Sequence, residues 1–230
     1  MAMKKISDIR LFRSARANAP GTFPKGFDCP LLIDYATRLA VRLRQLGFML
    51  DGFDMIYVDF NCSLPDGMFE KASRPVDKLF PGYRFYEVAV PKPLYEKLDS
   101  DKMLYPVLNY LRLLLKKCFL YGTNTEEMIT RAIYETAKFG EDLFLDYKIK
   151  SNGDYEVKIS YHYTNTGRTL PVAEITRLAD GKKKKCDLPE TDDIEQLTEI
   201  RINKKSVVVK FGREGGYAGE RDFTIDLSEM

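Results

Sequence analysis

Apolar residues recur at helical spacing in three stretches of the first 140 residues. Over residues 30–47 they follow three- and four-residue steps, which predicts an amphipathic helix that begins with Pro and is followed by Gly. Residues 101–119 are apolar nearly all the way round, which predicts a central helix. Thr123 and Glu126 match a capping box, so we expect a third helix to start there and to end at Gly140.

Strand-like stretches lie between these helices and dominate the rest of the chain. Residues 53–61 and 83–90 are rich in β-branched and aromatic side chains, which predicts two strands. After about residue 142 the apolar period becomes twofold, and the sequences Asn152-Gly153 and Asp180-Gly181 each separate two alternating runs, as in β-hairpins. We therefore predict antiparallel strands that can face water on one side.

The predicted fold class is α+β. A helix/strand region occupies residues 1–140, and a C-terminal antiparallel β-meander of about six or seven strands occupies residues 141–230. A chain of 230 residues allows one large domain or two small ones, so the two regions either share one core or form two.

Charge is unevenly distributed along the chain, although the net charge is only +2. The first fifty residues hold nine Lys/Arg and three Asp/Glu, whereas the last ninety hold fifteen and eighteen. Arg38 and Arg42 lie four residues apart, on one face of the helix predicted over residues 30–47, and we interpret this face as solvated. The basic side chains before this helix are Lys4, Lys5, Arg10, Arg13 and Arg16. These residues favour a nucleic-acid partner, but the aromatic interleaving of a single-strand platform is missing.

The four cysteines indicate a reducing compartment. Cys29, Cys62, Cys118 and Cys186 are too far apart in sequence for a zinc knuckle and too few for a disulfide scaffold. We therefore predict free, buried thiols and a cytoplasmic location. The most apolar stretch, residues 104–120, is interrupted by polar and charged residues, so we expect no membrane span.

The chain's one histidine, His162, lies in a predicted strand where Tyr161 and Tyr163 share the opposite face. No serine or cysteine has the sequence context of a nucleophile elbow. We therefore predict no catalytic residue, no metal ligand and no cofactor. The run Lys182–Lys185 is interpreted as protection of an exposed strand edge.

Residues 212–221 form the most unusual stretch, with four glycines interleaved with Arg213, Tyr217 and Arg221. The phosphate-binding patterns of P-loops and dinucleotide folds are absent from it. Tyrosine and arginine are typical of protein interfaces, so we interpret this loop as a place where a partner binds.

These observations favour a non-catalytic cytosolic protein–protein interaction module, for example an inhibitor or immunity-type protein. The partner-binding candidates are Arg213, Tyr217, Arg221, Tyr161, His162, Tyr163, Arg38 and Arg42. An alternative from another class is a metal-dependent hydrolase or nuclease that uses Asp54, Asp59 or Glu156 on the sheet to hold a divalent metal. A second alternative is a nucleic-acid-associated protein that uses the basic N-terminal segment.

Overall fold

Three parallel strands form the centre of the first sheet in the computed structural model. They are β2 (Asp8–Ser14), β5 (Met55–Asn61) and β7 (Tyr83–Ala89), with β5 between the other two. The structure describes residues 2–14, 24–74, 76, 78–164, 168–212, 221–228 and 230. The chain divides into two units, residues 1–140 and 141–230.

Short antiparallel strands flank the parallel strands, and helices connect and cover them. The other elements of the first unit are β1 (Met3–Lys5), β3 (Lys25–Gly26), β4 (Met49–Asp51), β6 (Phe69–Lys71), α1 (Pro30–Gln45), α2 (Lys92–Tyr95), α3 (Leu104–Phe119) and α4 (Glu126–Phe139). The sheet order is β3-β2-β5-β7-β6, and β1 pairs with β4 separately. The path from β2 to β5 includes α1, because parallel neighbours need a long crossover connection. No helix within the described ranges is both long and apolar enough to cross a membrane.

Alternation along β5 gives the first sheet two different faces. Ile56, Val58 and Phe60 are fully buried and belong to the same core as apolar residues of α1, α3 and α4. Tyr57 and Asp59 point to the opposite face, because successive strand residues alternate. One face therefore carries the hydrophobic core, and the other carries aromatic and polar side chains.

The helix predictions are confirmed, with one correction at a cap. Gly47 follows the first helix with a φ of 89°, a conformation that favours glycine. Thr125, rather than Thr123, caps α4, because its hydroxyl accepts a hydrogen bond from the Met128 N–H at 3.1 Å. Pro106 lies in the first turn of α3, where its missing N–H removes no helical hydrogen bond.

The basic N-terminal segment contributes a strand that the sequence analysis did not identify. Residues of β2 pair with β5 along their whole length. Arg10 bonds to Asp8 at 2.8 Å, and Arg13 lies 3.6 Å from Asp99. Two of the basic side chains proposed for nucleic acid therefore have acidic partners within the chain, and Arg16 lies outside the described residues.

The second unit is built from antiparallel strands, as predicted. They are β8 (Leu145–Ser151), β9 (Tyr155–Tyr163), β10 (Thr169–Arg177), β11 (Lys183–Asp187), β12 (Leu197–Ile202), β13 (Ser206–Phe211) and β14 (Arg221–Asp226). Their order is β11-β10-β9-β8 in one sheet and β12-β13-β14 in the other. Val157, Ile175 and Val207 from both sheets share one core. The meander is divided into two sheets because the apolar face of each needs another layer to cover it.

Lysines cover the edges of these two sheets. Lys148 and Lys150 of β8 donate to the carbonyl oxygens of Leu197 and Ile200 in β12, at 2.9 and 2.7 Å. Lys184 of β11 donates to a carbonyl oxygen of β14 at 2.7 Å. The run Lys182–Lys185 therefore lies at a sheet edge, where charged side chains oppose the addition of another strand.

The cysteines are less buried than predicted. Cys29, Cys62, Cys118 and Cys186 are free thiols, and each is half-buried. Burial raises the pKa of the Cys118 thiol, although Lys117 offsets part of this rise.

Candidate functional site

The three predicted partner-binding residues of β9, Tyr161, His162 and Tyr163, differ in their exposure. Tyr161 is 2% exposed and faces the core, so it does not lie on the surface, and its contact with a partner stays a prediction. His162 lies on the other face of the strand, half-buried, with its Nδ1 2.9 Å from the carbonyl oxygen of Glu141. Phe144 lies beside it, with the ring centroids 5.1 Å apart. Tyr163 is half-buried at the end of β9.

Most of the glycine-rich stretch, residues 213–220, lies outside the described residues. Arg213 and Tyr217 are outside the described residues. Arg221 begins β14, where its backbone pairs with Phe211. Partner binding by these three residues stays a prediction.

Arg38 and Arg42 are not on a solvated helix face, contrary to the sequence interpretation. Arg38 is 1% exposed, and its guanidinium carbon lies 5.2 Å from the ring centroid of Tyr35. Arg42 donates to Glu135 of α4 at 2.5 Å, and Arg131 donates to the same carboxylate at 2.9 Å. Burial raises the pKa of Glu135, but these two hydrogen bonds outweigh it and lower the pKa. Arg42 therefore connects α1 to α4, whereas Arg38 is buried beside a residue of its own helix, and partner binding by the two arginines stays a prediction.

Polar side chains meet where the parallel strands end. Ser14 is the last residue of β2, and Asn61 is the last residue of β5 and its partner in register. The Ser14 hydroxyl donates a hydrogen bond to Oδ2 of Asp59. Asp59, which the hydrolase or nuclease alternative uses, is 1% exposed, and Asn61 is fully buried. Ligands of open α/β sheets commonly bind at this carboxyl edge.

The electrostatics of this edge are unusual for a sheet face. Burial raises the pKa of Asp59, and the hydrogen bond from Ser14 and the charge of Arg74 offset only part of the rise. Glu87 of β7 is the register partner of Asp59 and is fully buried. Like charges directly opposite one another on neighbouring strands repel. Buried carboxyl groups whose pKa is shifted are found at functional sites more often than elsewhere in proteins.

Ser14 and Asn61 were missed by the sequence analysis. Nothing in their local spacing marks them, since 47 residues separate them and only the parallel pairing of β2 with β5 brings them together. Their position at the end of a strand is a usable signal, because each is a polar residue at the carboxyl end of a parallel strand. Within the described residues, no three His, Cys, Asp or Glu side chains are grouped so that they could hold a metal ion.

Aromatic rings form a ladder on the same face of the sheet. The ring of Tyr57 lies 5.1 Å from that of Phe12 and 4.5 Å from that of Tyr83, and Tyr83 stacks on Phe80 at 5.1 Å. Burial and a hydrogen bond with Tyr83 raise the pKa of Tyr57 to about 12. The ladder is buried at Tyr57, which is 3% exposed, and open at Phe80, which is 50% exposed.

The outer edge of β2 is open for half its length. β3 pairs only with Phe12 and Arg13, so in the described structure no strand lies beside Asp8–Leu11 on that side. The Leu11 carbonyl accepts from the Phe27 N–H at 3.2 Å, which shows that its backbone groups point away from β5. By strand alternation the backbone groups of Ile9 point the same way. Its N–H donates to Oδ1 of Asp8 at 2.8 Å.

A cavity of about 370 Å³ lies between this edge and α1. Its lining residues are Asp8, Ile9, Arg10, Leu11, Phe12, Gly26, Phe27, Ile33 and Thr37. Ile33 on α1 is 43% exposed, whereas Phe27 is 5% exposed. The arrangement is a groove with a backbone edge on one wall and a helix on the other.

Comparison with known proteins finds no matching family model, no similar curated protein and no similar solved structure.

Proposed function

We propose that the protein is a binding module that holds an extended segment of a partner protein in the groove between β2 and α1. The observation that carries this proposal is the cavity of about 370 Å³ against the edge Asp8–Leu11, beside which no described strand lies. Exposed strand edges beside a helix are a recurring site of recognition, in which the bound peptide adds a strand to the sheet.

The backbone of β2 supplies the recognition chemistry. The Ile9 C=O and the Leu11 N–H face the groove, and a single extended residue aligned parallel to β2 can bond to both. Asp8 already accepts from the Ile9 N–H at 2.8 Å, so this bond does not need to be broken. The main-chain bonds provide affinity, and the pocket provides selectivity for the side chains.

The paired charges at the rim of the groove and its apolar walls favour an uncharged partner segment. Arg10 at the rim bonds to Asp8, and Lys25 bonds to Asp28, so the rim charges are paired within the chain. The pocket walls include Phe27 and Ile33, which suit an apolar side chain. We therefore expect an extended segment with an apolar residue and no charge at the central position.

This mode of docking fits an inhibitor or immunity-type role, in which the bound segment belongs to an enzyme or toxin in the cytosol. The half-buried free thiols support a reducing compartment. A nucleic-acid partner receives less support, because Arg10 and Arg13 lie beside acidic partners.

The test is a displayed library of random peptides selected on the wild-type protein and measured on three variants. Gly26→Ile fills the groove, and a Cβ at Gly26 meets no atom of the described residues within 4 Å, so this variant should fold. Ile33→Asp places a charge on the helix wall. Ile149→Asp is the matched control, since Ile149 is 63% exposed and lies in the second unit.

We expect Gly26→Ile and Ile33→Asp to weaken binding at least tenfold, about 1.4 kcal/mol, and Ile149→Asp to leave it unchanged. N-methylation of the central peptide amide should weaken binding to the wild type as well, because it removes the donor to Ile9. Selected peptides that bind all three variants equally, or a library that yields no binder, would show that the groove is not a docking site.

A further inference from the structure

The carboxyl edge of the parallel strands carries an arrangement that the docking function does not use. Ser14 and Asn61 end neighbouring parallel strands in register, so their side chains lie on the same face and at the same edge. The Ser14 hydroxyl donates to Asp59, which is two residues before Asn61 on the same face of β5. A hydroxyl, a carboxylate and an amide therefore lie on the same face of the sheet at its carboxyl edge.

Two buried polar atoms at this edge have no hydrogen-bond partner among the described residues. They are Oδ1 of Asp59 and Nδ2 of Asn61. The orientation of the Asn61 amide is fixed by one hydrogen bond, because its Oδ1 accepts from the Leu64 N–H at 3.3 Å. Folded proteins rarely leave such groups unsatisfied, and each costs about 1–3 kcal/mol. A buried acceptor and a buried donor on the same strand face indicate a site for a ligand that has both.

We propose that Ser14, Asp59 and Asn61 form an acyl-transfer site that hydrolyses small carboxylic esters. Ser14 is the nucleophile, Asp59 is its general base, and the Asn61 amide donates to the oxyanion. The three roles match the general arrangement of a nucleophile, a buried base in hydrogen-bond contact with it, and an amide donor.

The reaction consists of two balanced steps. In the first, Ser14 Oγ bonds to the ester carbonyl carbon, its proton passes to Asp59, and the Asn61 Nδ2–H stabilises the negative oxygen. The bond to the leaving alcohol then breaks, and the alcohol oxygen takes the proton from Asp59. In the second, water attacks the acyl group on Ser14 and gives a proton to Asp59, which returns it to Ser14 as the carboxylic acid leaves.

The surroundings of the three residues suit this chemistry. Burial raises the pKa of Asp59, and Ser14 and Arg74 offset part of the rise, which makes the carboxylate a stronger base than an exposed aspartate. Phe12 is the register partner of Asp59 on the same face, and its ring lies 5.1 Å from that of Tyr57. Ser14 itself is half-buried, so it is the member of the group that a substrate can reach.

The test uses the full chain with two probes, p-nitrophenyl butyrate as substrate and a fluorophosphonate as covalent label. Mass spectrometry identifies the labelled residue. The variants are Ser14→Ala, Asp59→Asn and Asn61→Ala, and Ser63→Ala is the matched control, since Ser63 is exposed and two residues beyond Asn61. Asp59→Asn retains an oxygen that can accept from Ser14, so we expect it to fold.

We expect the label on Ser14 and a loss of hydrolysis of about 100-fold or more in Ser14→Ala and Asp59→Asn. Asn61→Ala should lower kcat by about 100- to 1000-fold with little change in KM. Wild-type hydrolysis should rise with pH as Asp59 ionises, and this rise should be absent in Asp59→Asn.

Two results would overturn the assignment. An unlabelled Ser14 with equal hydrolysis by the wild type and Ser14→Ala would exclude a catalytic site. Labelling at the same rate in Asp59→Asn and the wild type would show that Asp59 is not the base. Should Asp59→Asn fail to fold, the label and Ser14→Ala still decide the proposal.

Discussion

Substituting Asn124 by alanine should destabilise the first unit strongly. Asn124 is 7% exposed and lies between α3 and α4. Its Oδ1 accepts from the Met49 N–H at 2.9 Å. Its Nδ2 donates to the carbonyl oxygens of Met49 and Phe119, at 2.7 and 2.9 Å. One side chain therefore joins the end of α3 to β4.

The magnitude follows from these three bonds. A hydrogen bond contributes about 0.5–1.5 kcal/mol net, so we expect Asn124→Ala to lower the free energy of unfolding by about 2–4 kcal/mol. Asn109→Ala is the control, because Asn109 is exposed and bonds only to Arg112 of the same helix among the described residues. We expect it to change the stability by less than about 0.5 kcal/mol.

Urea unfolding followed by circular dichroism at 222 nm is the assay, since α1 to α4 all lie in the first unit. The variant Asn124→Asp separates the contribution of the amide donors from that of the acceptor. The carboxylate keeps the acceptor for Met49 but loses both donors, so this variant should also be destabilised at neutral pH and should recover at acidic pH, where the protonated acid can donate. A loss below about 0.5 kcal/mol for Asn124→Ala would refute the reasoning, because the bonds would then contribute nothing.

Two further predictions concern charges that the fold places between elements. Glu135→Gln should lower stability at neutral pH by about 1 kcal/mol, because Arg42 and Arg131 both bond to this carboxylate. Its pKa is lower in the folded protein than its ordinary value of 4.5, so the stabilisation is present above that pH and is lost as the pH falls further. Unfolding curves of the two proteins should therefore converge in acid, and a constant difference would contradict this. Lys150→Met should leave the Ile200 carbonyl without its donor and expose the edge of β12. We expect faster aggregation by light scattering than for Lys204→Met, a lysine in a turn, and equal rates would argue against edge protection.

Local sequence patterns correctly predicted most of the helices and strands of the chain. The helix predicted over residues 30–47 is observed at Pro30–Gln45, and the hairpins at Asn152-Gly153 and Asp180-Gly181 join β8 to β9 and β10 to β11. Periodicity and turn chemistry depend only on neighbouring residues, which the sequence displays directly. The strand β2 was missed although Ile9 and Leu11 alternate with polar residues, because its basic side chains were interpreted as a surface.

What the sequence alone determined is therefore the α+β class, the helical and twofold stretches, and the face that each residue occupies within its own element. The tertiary structure alone decided which faces are covered. Spacing four places Arg38 and Arg42 on one face, but only the packing of α4 against α1 buries it. Likewise, Ser14 meets Asp59 only because β2 and β5 pair in parallel. Both outcomes depend on contacts between residues far apart in sequence, and those contacts are selected by burial of the whole core rather than by any local pattern.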